Sequence, residues 1–538
     1  MSTHVLETLG DFTAGPRMLR ITAMAAVVGA IGAGVAWLLV RLIETITALA
    51  YFQSLAAVGV PPSENHLGLW AVGVPVIGAL VIGLIARFGS EKIRGHGIPE
   101  AMEAILIGRS RLSAKVAVLK PLSSAVSIGT GGPFGAEGPI IMTGAAFGSV
   151  FAQAFHLSDS ERKTLLVAGA AAGMAAIFAA PMAAVLLAVE LLLFEWKPRS
   201  FVPVAVAATI GAALRVPLLG AGAVFPVPPH EMLSMSGLAI GLVVGIVAGF
   251  GSAALTKLCY ACEDTFAKLP IHWMWWPAIG GLVVGVGGLF APRALGVGYD
   301  VIRDLFAGHL VAGAAVGLLL AKAIMWGVAL GSGTSGGVLA PLLIMGGALG
   351  AIESSVIPGH DAGLWAMISM AAMMGGTMRS PLTAVVFLLE LTHDINLLGG
   401  LLIACVAAHT VTVLLMRRSI LTEKVARRGH HVLREYVVNP LAQFHVEDVM
   451  HAPGAVPASM QRTFDATADG ARDDATFAYP DELLDEAMTK MILTGAKALP
   501  IVRRDDPATV IGYIDAEAVA TAWRELHDEE HVRERGAA

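Results

Sequence analysis

The chain has 538 residues, of which 56% are hydrophobic and only 14% charged. A water-soluble domain carries about 25% charged residues, so the composition excludes a soluble globular protein and points to one embedded in a bilayer. A formal net charge of −6 leaves no cationic footprint for nucleic acid, and three cysteines cannot make a disulfide framework.

Residues 1–17 hold Glu7 and Asp11 but no cleavable apolar core, so they read as a short cytoplasmic segment without a signal peptide. Apolar stretches follow at roughly 18–58, 70–88, 115–157, 164–194, 201–222, 234–262, 273–291, 309–330, 338–357, 362–392 and 395–416. Several exceed the ~20 residues of one span, and others are short or interrupted by Gly and Pro. Strand-type alternation is absent. The expected fold is therefore an all-α polytopic membrane protein with tilted, broken and partial helices. Irregular backbone at membrane depth survives only where it is buried in protein or lines a cavity.

One such interruption is Gly129–Pro139, which sets a single carboxylate, Glu137, among glycines and prolines with apolar residues on both sides. Glycine allows close approach of backbone to a ligand, and Pro139 suits the first turn of a helix. A helix start carries unpaired N–H groups and partial positive charge, so it attracts anions, and Glu137 would compete with a dissolved anion there.

Further along, Cys259 and Cys262 lie in the helical-looking segment Ala253–Phe266 and read as structural, since no second pair accompanies them. Trp273, Trp275 and Trp276 beside Pro270 and Pro277 read as an interfacial aromatic anchor. An internal repeat links the halves. At an offset of 200, Ala171, Ala172, Met174, Pro181, Ala184, Val185, Glu190 and Leu191 recur at 371–391. At 202, Gly129, Gly131, Gly135 and Pro139 meet Gly331, Gly333, Gly337 and Pro341. Paired interrupted segments point to a substrate site at the repeat interface. Glu137 falls opposite Leu339, so only the first copy carries the carboxylate.

After Met416 come Arg417, Arg418, Lys424, Arg427 and Arg428, which places the C-terminus in the cytoplasm by the positive-inside rule. A small α+β domain is expected over 445–528: a polar loop at 451–476, a helix bearing Leu483, Leu484, Ala487, Met488 and Met491, and strands at 498–502 and 510–514. His527–His531 fits H-x-x-E-H, but it sits in a charged tail with no room for a covered zinc pocket, so no metal site is assigned. Gly331–Gly336 fits G-x-G-x-x-G without a βαβ setting and reads as an ion-lining loop.

Three motifs, Gly-His-Gly-Ile-Pro-Glu (95–100), Gly-Ala-Glu-Gly-Pro (135–139) and Gly-Val-Leu-Ala-Pro (337–341), resemble in order and spacing those of the CLC family of chloride channels and proton/chloride antiporters. The resemblance covers about residues 18–430. It implies two inverted halves, here approximately 70–222 and 273–416, in a homodimer of the cell (inner) membrane whose subunits each have a pore. It implies no enzymatic activity and no required cofactor; chloride and other small anions are the cargo. Glu137 matches the gating glutamate. The anion-binding positions are His96, Gly97, Ile98, Gly135, Ala136, Val338, Leu339 and Leu421, with backbone amides of Gly95–Ile98, Gly131–Phe134 and Gly337–Ala340 giving most of the coordination.

The departures from the family pattern are specific. His96 stands where a serine is usual, Leu421 where a tyrosine closes the central site, and Ala136 where an arginine precedes the gate. His96 either donates to the anion or turns away to bond a backbone carbonyl; loss of the tyrosine implies a wider inner gate. Leu191 occupies the position of the antiporters' internal glutamate, so Glu190 beside it is either a proton relay or, preferably, a polar lock at a helix end. This leans towards a voltage- or pH-gated channel, with an antiporter of the same fold as alternative and a fluoride exporter as a narrower variant. Val446–Met450, Ala498–Val502 and Ile511–Ile514 resemble one repeat of a CBS module. Adenine nucleotide is the ligand such a module would take once a second subunit supplied its pair, and a nucleotide-sensing membrane protein is the reading from another class.

Overall fold

The computed structural model describes residues 15–357, 361–430, 432, 441, 444–452, 476–507 and 509–524. Most of the polar loop expected at 451–476, and the His527–His531 motif, lie outside them. A 36-residue helix, α1 (Arg17–Phe52), leads. The first half follows as α2 (Gly73–Phe88), α3 (Ile98–Leu106), α4 (Ala114–Gly129), α5 (Glu137–Gln153), α6 (Asp159–Phe178), α7 (Pro181–Leu187, prolonged by a π-helical stretch Ala188–Leu193) and α8 (Pro198–Leu219). A second long helix, α9 (Met235–Ala267), leads the other half. That half comprises α10 (Trp276–Phe290), α11 (Tyr299–Phe306), α12 (Ala312–Gly331), α13 (Leu339–Ser354), α14 (Ala362–Met378), α15 (Pro381–Thr392) and α16 (Leu398–Leu415), with α17 (Ile420–Arg427) closing it.

The repeat therefore extends to whole halves. Glu137 and Leu339, 202 positions apart, open α5 and α13; Pro181 and Pro381, 200 apart, open α7 and α15. Prolines start these helices because the first turn has no use for their missing N–H. The expected stretch 115–157 is two helices, broken at 130–136, where Gly131 takes φ +95°. Its counterpart Gly333 takes φ +83°, a conformation open in practice to glycine.

Among the described residues, seven stretches are long and apolar enough to cross a membrane, α1, α8, α9 and α12 among them. The shorter α5, α13 and α14 are almost wholly buried, so their broken ends meet protein rather than lipid. The helices run through one continuous apolar core in which α5 packs on α6 and α13 on α14.

The halves are also fastened to each other reciprocally. Glu190, near the end of the first-half helix, accepts from Thr383 N (2.9 Å) and Thr383 Oγ1 (2.5 Å) in the first turn of α15. Glu390 accepts from Met182 N (3.0 Å) and Ala183 N (2.8 Å) in the first turn of α7. Each carboxylate satisfies orphan donors at the positive end of the other half's helix. These bonds have the geometry of a polar lock at each helix end.

The tail places a helix, Leu484–Thr494, beside an antiparallel pair, β1 (Ala498–Val502) and β2 (Val510–Asp515), in the register Ala498↔Asp515. This agrees with the expected α+β domain and is compatible with a CBS-like module. Its own apolar core includes Val446, Leu484, Leu499 and Ile514. Arg504 joins it to the membrane part, bonding Asp481 (2.7 Å) and Glu161 (3.3 Å) at the start of α6. Arg17, at the start of α1, pairs with Asp481 (3.0 Å).

Candidate functional site

The three glycine motifs, far apart in the chain, are stitched together by their backbones. Gly337 N donates to Gly135 O (2.9 Å), and Gly95 N donates to Thr334 O (3.2 Å). Gly135 pairs with Gly337 and Gly95 with Ser335 as isolated β-bridges. Such contacts demand small residues. A Cβ on Gly138 would lie 2.2 Å from His96 O, and one on Gly337 would lie 2.5 Å from Gly135 O. Each motif ends in a helix start: Gly97 and Ile98 open α3, Ala136 and Glu137 open α5, Val338 and Leu339 open α13. The positions expected on α3, α5 and α13 are thus brought together as convergent N-termini whose amides can receive an anion, and Leu421 lies in the first turn of α17, which packs on α3.

A fourth loop belongs to the same construction and escaped the sequence reading. Gly296-Val297-Gly298-Tyr299 opens α11, as Gly95-His96-Gly97-Ile98 opens α3, at an offset of 201. Gly298 takes φ +78° and Gly97 φ +90°. Gly296 N donates to Gly131 O (3.1 Å). The signal was the recurrent Gly-x-Gly, too weak to separate from a glycine-rich background.

Glu137 is fully buried. Its carboxylate curls back over Gly135, where a Cβ would fall 1.6 Å from Oε2. The amides of Glu137 itself and of Ala340, in the first turn of α13, point towards it. Neither reaches full hydrogen-bond geometry, and among the described residues neither carboxylate oxygen has a partner. One negative charge therefore sits between helix starts contributed by both halves.

His96 is buried with both ring nitrogens unpartnered, so the ring does not turn away to a backbone carbonyl. Leu421 lies in the first turn of α17 and is fully buried. As an apolar side chain it offers an anion no hydroxyl donor there. A tyrosine does stand close by: Tyr260 of α9 donates to Ile420 O (2.5 Å). That bond engages the backbone at the start of α17, and no sequence motif announces it. Arg94 stacks on Trp273 (4.5 Å to the ring centre) and Trp276 (5.8 Å), so two of the presumed anchor tryptophans hold a cation of their own chain.

Two buried lysines complete the electrostatics, 202 positions apart. Lys120 Nζ donates to Ile93 O (2.8 Å), Gly95 O (2.7 Å) and Ser335 Oγ (3.0 Å). Lys322 Nζ donates to Ala294 O (3.0 Å) and Gly296 O (2.9 Å). Each ammonium secures the loop before a short helix while adding positive charge near the centre, where Ala136 supplies none. On the side away from the tail, a cavity of about 420 Å³ reaches Ala136, Gly298 and Tyr299 and is also lined by Glu44, Asp300 and Arg303. On the tail side, Lys424 Nζ approaches Gly95, lying 2.9 Å from where a Cβ would stand. Arg428 pairs with Glu100 (2.7 Å).

Comparison with known proteins accords with this geometry. Residues 77–413 match the family model described as voltage gated chloride channel. A voltage-gated ClC-type chloride channel, ClcB, of Escherichia coli is 30% identical over 370 residues, spanning 66% of this chain and 87% of its own. Among solved structures, a slow cyanobacterial Cl−/H+ antiporter superposes with a TM-score of 0.67 at 21% identity, covering 77% of this chain and 98% of that one. A CLC-type fluoride/proton antiporter gives 0.63 at 19%, covering 73% and 95%.

Proposed function

Because this chain belongs to the voltage-gated chloride channel family, we propose that it passes chloride and similar small monovalent anions through a pathway that Glu137 gates, and that it works as a channel. The observation that carries this is the buried, unpartnered carboxylate set between the starts of α5 and α13. Those donors suit an anion, so a carboxylate there is a tethered competitor. Protonation removes its charge and with it the competition, so acid opens the pathway.

The channel reading is favoured over an antiporter by the first-half helix end. Leu191 is fully buried at the position where antiporters of the family often carry an internal glutamate, and Glu190 is hydrogen-bonded to the start of α15. The two solved antiporters are below 25% identical and speak for the fold alone. Purified protein in planar bilayers under crossed chloride and pH gradients should reverse at the chloride equilibrium potential. A reversal potential that moves with the pH gradient would assign the chain to the antiporters instead.

His96 is proposed as the side-chain ligand on the tail side of the pathway, since its imidazole N–H can donate to an anion. Replacing it by alanine should raise the chloride concentration for half-maximal flux about three- to tenfold, the weight of roughly one hydrogen bond. An unchanged half-saturation would remove His96 from the site.

A further inference from the structure

Tyr299 takes no part in the pathway so far described. It opens α11 at the position where Ile98 opens α3. The ring is held edge-on by Phe225, with centroids 5.8 Å apart. Its hydroxyl oxygen is buried and, among the described residues, has no hydrogen-bond partner. Buried hydroxyls are rarely left so, and each such case calls for an explanation. The chemistry of the neighbourhood supplies one. The Glu137 carboxylate, near enough to interact with the phenol electrostatically, is likewise without a partner. A cavity lies beside the pair: Tyr299 lines it directly, and Ala136, the residue before the gate, forms part of its wall.

We propose that Tyr299 is the outer receptor of the gate: on leaving the helix starts, the Glu137 carboxyl group turns into the cavity and accepts a hydrogen bond from the Tyr299 hydroxyl. In the closed arrangement seen here both groups lack a partner, whereas in the open one each satisfies the other. Tyr299 thereby stabilises the open state without touching the anion, as a positioning residue. The pseudo-symmetry accounts for the placement, since Ile98 presses on the pathway from the tail side and Tyr299 from the opposite side. The charged groups around the pair come from several elements: Glu44, Glu64, Asp300 and Arg303 line the cavity. Lys322 of α12 faces Glu137, Arg215 of α8 faces Tyr299, and Asp300 of α11 faces Lys322. The inference rests on Glu137 being the gate.

Tyr299→Phe keeps the ring against Phe225 and removes only the hydroxyl. Chloride efflux from liposomes bearing the full chain would be measured for the native protein, Tyr299→Phe, Glu137→Gln and the double variant, at acidic and neutral pH. In the native background Tyr299→Phe should lower flux about five- to tenfold at acidic pH, as expected for the loss of one hydrogen bond. In the Glu137→Gln background it should change flux by less than about twofold, which also shows that the phenylalanine variant folds and inserts. Native-like flux in Tyr299→Phe would overturn the proposal. So would an equal loss in both backgrounds, which would make the residue structural. A higher chloride half-saturation in the double variant than in Glu137→Gln would make it an anion ligand, which also overturns it. Failure of the gate itself reads out separately, as persistent pH dependence in Glu137→Gln alone.

Discussion

Glu137→Gln should give a pathway that no longer closes. Glutamine has nearly the same shape, so the curl over Gly135 and the packing around it are kept. What is lost is the charge that holds the side chain near the amides at the starts of α5 and α13. A carboxylate held at helix starts in a buried setting is stabilised by about 1–2 kcal/mol, which corresponds to about 5- to 30-fold in the open fraction. Chloride efflux from liposomes near neutral pH should rise by about that factor over the native protein, and its dependence on pH should flatten. The sign follows from the chemistry: acid neutralises the native carboxylate and so raises native flux towards the variant's. If the variant kept the native pH profile, the gate would lie elsewhere.

Gly138→Ala should be nearly as damaging, although it adds one methyl group and removes no chemistry. The new Cβ would fall 2.2 Å from the His96 carbonyl and 3.1 Å from Gly337 Cα. Both obstacles are backbone, in segments fixed by the hydrogen bonds between Gly135 and Gly337 and between Gly95 and Thr334. A flexible side chain could give way; these loops cannot without separating the helix starts. Overpacking of this kind costs about 1–3 kcal/mol and occasionally more, and the rigid surroundings place Gly138 at the upper end. The expected result is a lower unfolding temperature in detergent together with at least tenfold less flux, a rough figure from the same range. Gly317→Ala is the control, because nothing lies within 4 Å of its Cβ and alanine is the better helix former. If the two variants melted and conducted alike, the close approach at Gly138 would not be what shapes the site.

Where a signal was local, the chain was readable. Proline at a first turn marked the starts of α5, α7, α13 and α15, with glycine ahead of it at α5 and α13. Leu484, Ala487 and Met491 outlined the tail helix, and Ala498–Val502 the first strand. The repeat was readable because it is a comparison of the chain with itself. Partnerships were not readable. Nothing local told that the carboxylate of Glu190 lies on Thr383, 193 positions away. Nor did anything local tell that the Trp273 and Trp276 rings carry Arg94 upon them. That Tyr260 holds the backbone beside Leu421, 160 positions from its own, was equally hidden.

By itself the sequence determined that this is a helical membrane protein of two related halves with one carboxylate at an anion-attracting helix start. Hydropathy, proline and glycine act on their own few residues, and they leave the same trace wherever the segment ends up. Only the tertiary structure decided that four loops converge, that the carboxylate stands without a partner, and that a tyrosine from the second half borders the same cavity. Those facts depend on contacts between residues 160 or more positions apart. The energies that select such contacts belong to packing and desolvation, which no single stretch of chain carries.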